Sequence, residues 1–308
     1  MPFKDTVPKA KSALVIPNTW SFSPTLATGG TVAIHLSQKL YAATDTAAAQ
    51  QWADFFDGLI HGPELSSLDA YFLTPDEVES VCGRRALGCY GRDRLFAPAA
   101  DPSMDLSAEA VLTHEYGHHV ALHRRNDPWD AIAYGPKRWA TYERVCAKTR
   151  AHRLWPGAED EKHYQLNPGE AWAETYRVLN ERKQALVEAP WQIVVRSLYP
   201  TAAALEAAEL DVTSSWTPTA SSSFSGSVSR TARARSFTVA TPLDGRLNAR
   251  VRAAGGERVR LDVYAPSGKR LVHGGAKTSA TICGQRAVRV RVRRVSGSGP
   301  FRLTVAKP

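Results

Sequence analysis

Thr113-His114-Glu115-Tyr116-Gly117-His118-His119 is the stretch best equipped for chemistry. His114 and His118 are four residues apart, so on a helix both imidazoles leave one face, about one turn from each other. Two nitrogens so placed can share one zinc ion at roughly 2.0–2.1 Å each. Glu115 follows the first histidine and leans toward the position that the protein leaves open. A carboxylate there can take a proton from a water attacking a carbonyl and return it to the leaving amine. Gly117 removes bulk beside the pair, at a helix-propensity cost of about 1 kcal/mol relative to Ala. A helix with a purely structural task has no need of that cost.

A catalytic zinc wants three protein ligands. His119 lies about 100° around the helix from His118, and His123 is five residues beyond it. Both read as supporting or surface histidines. The metzincin pattern needs Gly and His three and six residues after the second ligand, where this chain has Ala121 and Arg124. Downstream, Asn167-Pro168-Gly169-Glu170-Ala171-Trp172-Ala173-Glu174 places two more carboxylates four apart on an otherwise apolar helix. Burying both on one face is costly unless a cation is present, and zinc is one. Glu170 then becomes the third ligand. Glu174 accepts the free N–H of a ligand histidine and fixes its tautomer. The alternatives are a solvated acidic pair near a helix N-terminus and the reverse assignment, with Glu174 on the metal.

His114-Glu115-x-x-His118 followed by Glu170-x-x-x-Glu174 resembles the gluzincin metallopeptidases. Glu170 follows His118 by 52 positions. That gap is much longer than in thermolysin and closer to the anthrax lethal factor-like branch. In that branch the Glu motif reads Glu-[aromatic]-x-Ala-Glu, against Glu170-Ala171-Trp172-Ala173-Glu174 here. The resemblance covers about residues 94–183. It implies a zincin-like fold, with Glu170 as ligand and Glu174 as its supporter. It also implies a Tyr shortly before the Glu ligand that stabilises an oxyanion; Tyr164 is the candidate, with His163 as the alternative. Residues 236–308 are similar to the bacterial pre-peptidase C-terminal domain in strand rhythm and in the closing Gly299-x-Phe301-x-Leu303-x-Val305.

The elements that must carry these groups are legible in outline. The opening stretch to Gly30 contains Pro and Ser and reads as extended. Thr31–Ser37, Leu68–Leu73 and Arg94–Ala97 read as strands. Asp45 is the expected cap of a helix with Trp52, Phe55, Phe56 and Leu59 on one side. Thr74-Pro75 opens a short helix. Asp105 or Ser107 caps the His114 helix, Pro136 opens the next, and Asn167-Pro168 opens the Glu170 helix. From Thr213 to Thr231, 12 of 19 residues are Ser or Thr, which is linker composition. Beyond it, short strands separated by Gly- and Pro-containing turns read as an all-β sandwich. Val288, Val290 and Val292 alternate with Arg289, Arg291 and Arg293, so the valines face in. The expected fold is α+β: a zincin-like metallopeptidase domain at 1–212, a linker at 213–235 and an all-β sandwich at 236–308.

The 308 residues are 43% apolar and 22% charged. That excludes a disordered, collagen-like or membrane-bundle chain, and no apolar run approaches the ~20 residues a membrane helix needs. The net charge of +9 conceals a split. Residues 221–308 hold 15 Arg and 3 Lys against 3 acids, whereas residues 1–220 hold 21 basic and 27 acidic residues. The basic half is either an Arg-rich solvated β surface or a binder of an anionic cell-surface polymer. Its aromatics, Phe224, Phe237, Tyr264 and Phe301, mostly occupy core-like strand positions, which argues against specific nucleic-acid stacking. Cys82 and Cys89 flank a loop with Gly83 and Gly88 just inside it, which favours a disulfide. Cys146 and Cys283 either pair across the domains or stay as thiols. A disulfide implies an extracellular or cell-surface location, although Met1–Asn18 shows no export signal. The function expected is that of a secreted peptidase with one catalytic zinc, acting on peptide or protein. The whole site is expected within 1–212, with the β domain dispensable for short peptides. The rivals are a non-catalytic zinc-stabilised binding protein and a zinc hydrolase of non-peptide amides.

Overall fold

Three apolar runs, each too short for a helix, pair in parallel to make the centre of a sheet. The computed structural model describes residues 16–158, 160, 162–191, 195–218 and 221–308. Strands β1 (Thr19–Phe22), β2 (Ala33–Ser37), β3 (Asp69–Leu73), β4 (Cys89–Gly91) and β5 (Arg94–Pro98) lie in the order β1-β2-β3-β5-β4. β2, β3 and β5 are parallel, and β1 and β4 are antiparallel edges. A parallel centre must be covered on both faces. Ile34, Leu36, Ala70, Phe72, Leu95 and Ala97 enter the main core with helices α1 (Thr46–Asp57) and α3 (Ala108–Leu122). Tyr71, Leu73 and Phe96 pack on the other face with α2 (Pro75–Cys82). Residues 1–15 of the opening stretch lie outside the described residues.

The caps settle where the helices start. Ser107, not Asp105, caps α3, its hydroxyl accepting from Ala110 N at 3.1 Å. Asp45 instead accepts from Ala42 N and makes no side-chain cap on α1. Thr74 and Glu77 form a reciprocal capping box on α2. After α4 (Ala131–Tyr134), the helix expected from Pro136 divides into α5 (Lys137–Tyr142) and α6 (Val145–Arg150), because Arg144 is left-handed at φ 55°. Asn167 caps α7 (Pro168–Lys183) by accepting from Gly169 N.

Helices α3 and α7 cross closely, and Gly117 is the reason. A Cβ there would stand 2.9 Å from Ala173 Cα and 3.2 Å from Ala173 O. Trp172 Nε1 donates to Gly117 O at 2.8 Å across the same contact. The cost of Gly117 thus has a packing purpose that the sequence reading did not assign.

The second half holds β6 (Ser222–Val228), β7 (Ala234–Ala240), β8 (Gly245–Ala253), β9 (Arg258–Tyr264), β10 (Arg270–His273), β11 (Lys277–Ile282), β12 (Ala287–Ser296) and β13 (Gly299–Ala306). They form two four-stranded sheets, β10-β9-β12-β7 and β11-β8-β13-β6. The inward valines of β12 are buried as expected. The expected linker at 213–235 is corrected: α8 (Ala202–Thr213) reaches its first residue, and β6 and the start of β7 lie inside it. β6 is specified by its partner. It pairs with β13 from Gly299↔Val228 to Val305↔Ser222, and Gly226 makes room for the Phe301 ring. Residues 219–220 lie outside the described residues.

The halves are joined covalently by Cys146–Cys283, and Cys82–Cys89 is the second disulfide. Beside the joint, Asp244 N donates to Thr141 Oγ1 and Arg286 Nη2 to Thr141 O. Lys137 is fully buried there; its Nζ donates to Asp127 O and lies 4.5 Å from the Trp216 ring centre. Removing the β domain would therefore break a disulfide and uncover Lys137.

Candidate functional site

Helix α3 presents His114 and His118 from one face, and α7 brings Glu170 to meet them. His114 Nε2 and His118 Nε2 each lie 3.5 Å from Glu170 Oε2. All three residues are buried, and their donor atoms stand within 4.8 Å of one another. Two donors about 2.1 Å from a tetrahedral ion stand about 3.4 Å apart. The arrangement therefore fits one small divalent ion without moving either helix.

The far side of His114 is fixed as well. Its Nδ1 lies 2.8 Å from Glu174 Oε1, which leaves Nε2 directed at Glu170. The sequence did not single out what holds Glu174. Arg177, fully buried, clamps it through Nη2 to Oε2 at 2.8 Å and Nε to Oε1 at 3.1 Å, and reaches Glu181 at 2.6 Å. The signal was the spacing Glu174-x-x-Arg177-x-x-x-Glu181, which puts all three on one face of α7. Burial alone would raise the Glu174 pKa, but the His114 hydrogen bond and the Arg177 charge bring it down to about 2. Burial likewise lowers the His114 pKa, and the hydrogen bonds to Glu170 and Glu174 more than reverse this, leaving it raised.

Glu115 is fully buried beside the pair. The Cys82–Cys89 loop comes against it, for a Cβ on Gly88 would stand 2.8 Å from Glu115 Oε1 and from Val111 Cγ1. Nothing in the sequence linked that loop to the site. Tyr164 joins the cluster, its hydroxyl donating to Glu170 Oε2 at 2.9 Å. His163 does not. It stacks on Trp155 and pairs with Asp160 near the surface, because the 3₁₀ turn Tyr164–Leu166 begins just after it and turns Tyr164 inward alone.

Two further groups collect ligand-type side chains among the described residues: Asp93 with His119 and His123, and Cys146 and Cys283 with Asp244. The second pair of cysteines is already joined as a disulfide.

No family model matches the chain, and no curated protein matches its sequence. Solved structures similar to part of it include PliG of Aeromonas hydrophila, a periplasmic inhibitor of g-type lysozyme. It is 12% identical over 28% of this chain and 85% of that one, with a TM-score of 0.25. The pre-peptidase C-terminal domain of a Bacillus anthracis collagenase is 16% identical over 28% and 89%, with a TM-score of 0.23. The Yersinia pseudotuberculosis-derived mitogen is 10% identical over 30% and 88%, with a TM-score of 0.26. At these scores the likenesses carry no argument. Among the described residues, no helix is long and apolar enough to cross a membrane.

Proposed function

We propose that the chain is a zinc-dependent peptidase with a zincin-like catalytic domain, and that His114, His118 and Glu170 hold the metal. The observation that carries this is the pair of 3.5 Å separations between two imidazole nitrogens and one carboxylate oxygen in a buried setting. Zinc held there would supply Lewis acidity for a substrate carbonyl and for the attacking water. Glu115 takes the proton of the attacking water and passes it to the leaving amine. Glu174, held by Arg177, keeps the His114 ring turned toward the metal. Tyr164 positions Glu170, and its hydroxyl is the nearby donor for a developing oxyanion. Two disulfides suit a compartment outside the reducing cytosol.

Two variants test this together. Glu115→Gln should keep zinc and thermal stability while peptide cleavage falls about 10²–10⁴-fold. Glu170→Ala should lose zinc and activity together. Equal cleavage by wild type and Glu115→Gln would end the mechanism. Full zinc occupancy in Glu170→Ala would move the third ligand elsewhere.

A second reading concerns the β domain. The outer face of β8, β11 and β13 forms a groove of about 740 Å³ lined by Arg250, Arg252, Lys277 and Arg302, with no acid in its lining. Arg302 sits directly opposite Arg252, and Lys277 opposite Arg250. Like charges so paired are unfavourable, and an anionic polymer would relieve them. Retention on dextran sulfate should weaken in Arg250→Ser/Arg302→Ser, and unchanged retention would remove this role.

A further inference from the structure

We infer that Asp93, His119 and His123 form a second site for a divalent transition metal, distinct from the His114, His118 and Glu170 set. Helix α3 carries a second pair of histidines four apart, and His123 closes the helix as its C-terminal cap. The two rings lie 4.7 Å apart between centres. The turn between β4 and β5 delivers Asp93 to both. Its Oδ1 lies 2.7 Å from His123 Nε2 and 3.6 Å from His119 Nδ1. All three donor atoms stand within 4.8 Å of one another, against about 3.4 Å for donors sharing a tetrahedral ion.

The decisive detail is on the other side of His119. Its Nε2 lies 2.8 Å from the Glu64 carbonyl oxygen. A carbonyl only accepts, so Nε2 carries the proton and the lone pair is on Nδ1, facing Asp93. This is the way ligand histidines are oriented from behind, and it parallels Glu174 on His114. Tyr90 OH lies 2.9 Å from His119 Nδ1 and 3.4 Å from Asp93 Oδ1. It can donate to Asp93 when an ion takes Nδ1. Ser67 Oγ, 3.3 Å from His123 Nε2, is a further neighbour.

Access fits an exchangeable ion. The His119 side chain is buried, whereas those of Asp93 and His123 are 40% and 32% exposed. Water can reach the ion and complete its coordination. Two nitrogens and one carboxylate suit zinc, nickel, cobalt or copper(II) better than magnesium or calcium. An ion here would tie the end of α3 to the β4–β5 turn.

The test is the metal content of the full chain at buffered free zinc, in wild type, His123→Ala, Asp93→Asn and His118→Ala/Glu170→Ala. Two ions per wild-type chain are expected. One should remain in His123→Ala and in Asp93→Asn, with peptide cleavage kept within a few-fold. One should also remain in the double variant, without cleavage. His123→Ala holding as much zinc as wild type overturns the inference. The double variant holding as much as wild type would instead count against the peptidase site. As a second readout, zinc should raise the melting temperature of the double variant, and no rise counts against the second site.

Discussion

Replacing Gly117 with Ala sets two magnitudes against each other. Helix propensity alone favours the change by about 1 kcal/mol. The new Cβ, however, would stand 2.9 Å from Ala173 Cα, where ordinary contact begins at 3.4 Å. Its neighbour is backbone and cannot rotate away, so α7 must retreat by about 0.5 Å, at an overpacking cost of about 1–3 kcal/mol. The expected net result for the metal-free protein is a loss of up to about 2 kcal/mol. The effect on metal should be larger in proportion. Ala173 lies between Glu170 and Glu174, so the retreat moves ligand and supporter together, by about the tolerance within which such a site must be held. Zinc affinity should fall about 10–100-fold, as when a ligand's support is lost. Urea denaturation of the metal-free protein and chelator competition measure the two quantities separately. Gly117→Ala with raised metal-free stability and unchanged zinc affinity would mean that propensity wins and that the crossing of α3 and α7 does not set the ligand geometry.

Arg177→Met should destabilise by about 3–5 kcal/mol, because it leaves Glu174 and Glu181 as buried carboxylates without their cation; a denaturation midpoint equal to wild type would contradict the clamp. Gly88→Ala presses a methyl group against Glu115 and should lower turnover while zinc content holds, as elemental analysis beside a peptide assay would show; unchanged kcat would detach the disulfide loop from the site. Lys137, held by burial down to about 8 from an ordinary 10.5, binds fewer protons folded than unfolded between those values. Wild-type stability relative to Lys137→Met should therefore rise by up to about 3 kcal/mol as pH climbs from 8 to 10.5, and parallel stability profiles would refute it.

The helical parts of the site were legible because helix geometry turns a spacing of four into a shared face. His114 with His118, and Glu170 with Glu174, needed no tertiary information to be paired. Joining the pairs across 52 positions rested on the cost of burying two carboxylates, and the structure brings Glu170 and both histidines together. Arg177 escaped notice because a charged residue on a helix ordinarily faces water, and only tertiary packing buries it. His119 and His123 were set aside because they leave α3 on another side, and their partner Asp93 comes from a turn that helix periodicity cannot see. β6 was hidden for a different reason. Serines alternating with Phe224, Gly226 and Val228 carry too little apolar mass to announce a strand, and its hydrogen bonds come from β13. The short edge strand β4 and the approach of Gly88 to Glu115 are likewise properties of the sheet rather than of any local run.

The bond between Cys146 and Cys283 gives the molecule the connectivity of a ring with two tails. It closes a loop of 137 positions, worth about 5 kcal/mol on the chain-entropy account. The stretch between α8 and β6 lies inside that ring, so a single cut there opens the ring without releasing a fragment. Nicked material would run as one species under denaturing conditions and part into two only with reductant. In an oxidising medium a cut in this stretch would leave the basic β domain attached, and a reductant would be needed to set it free.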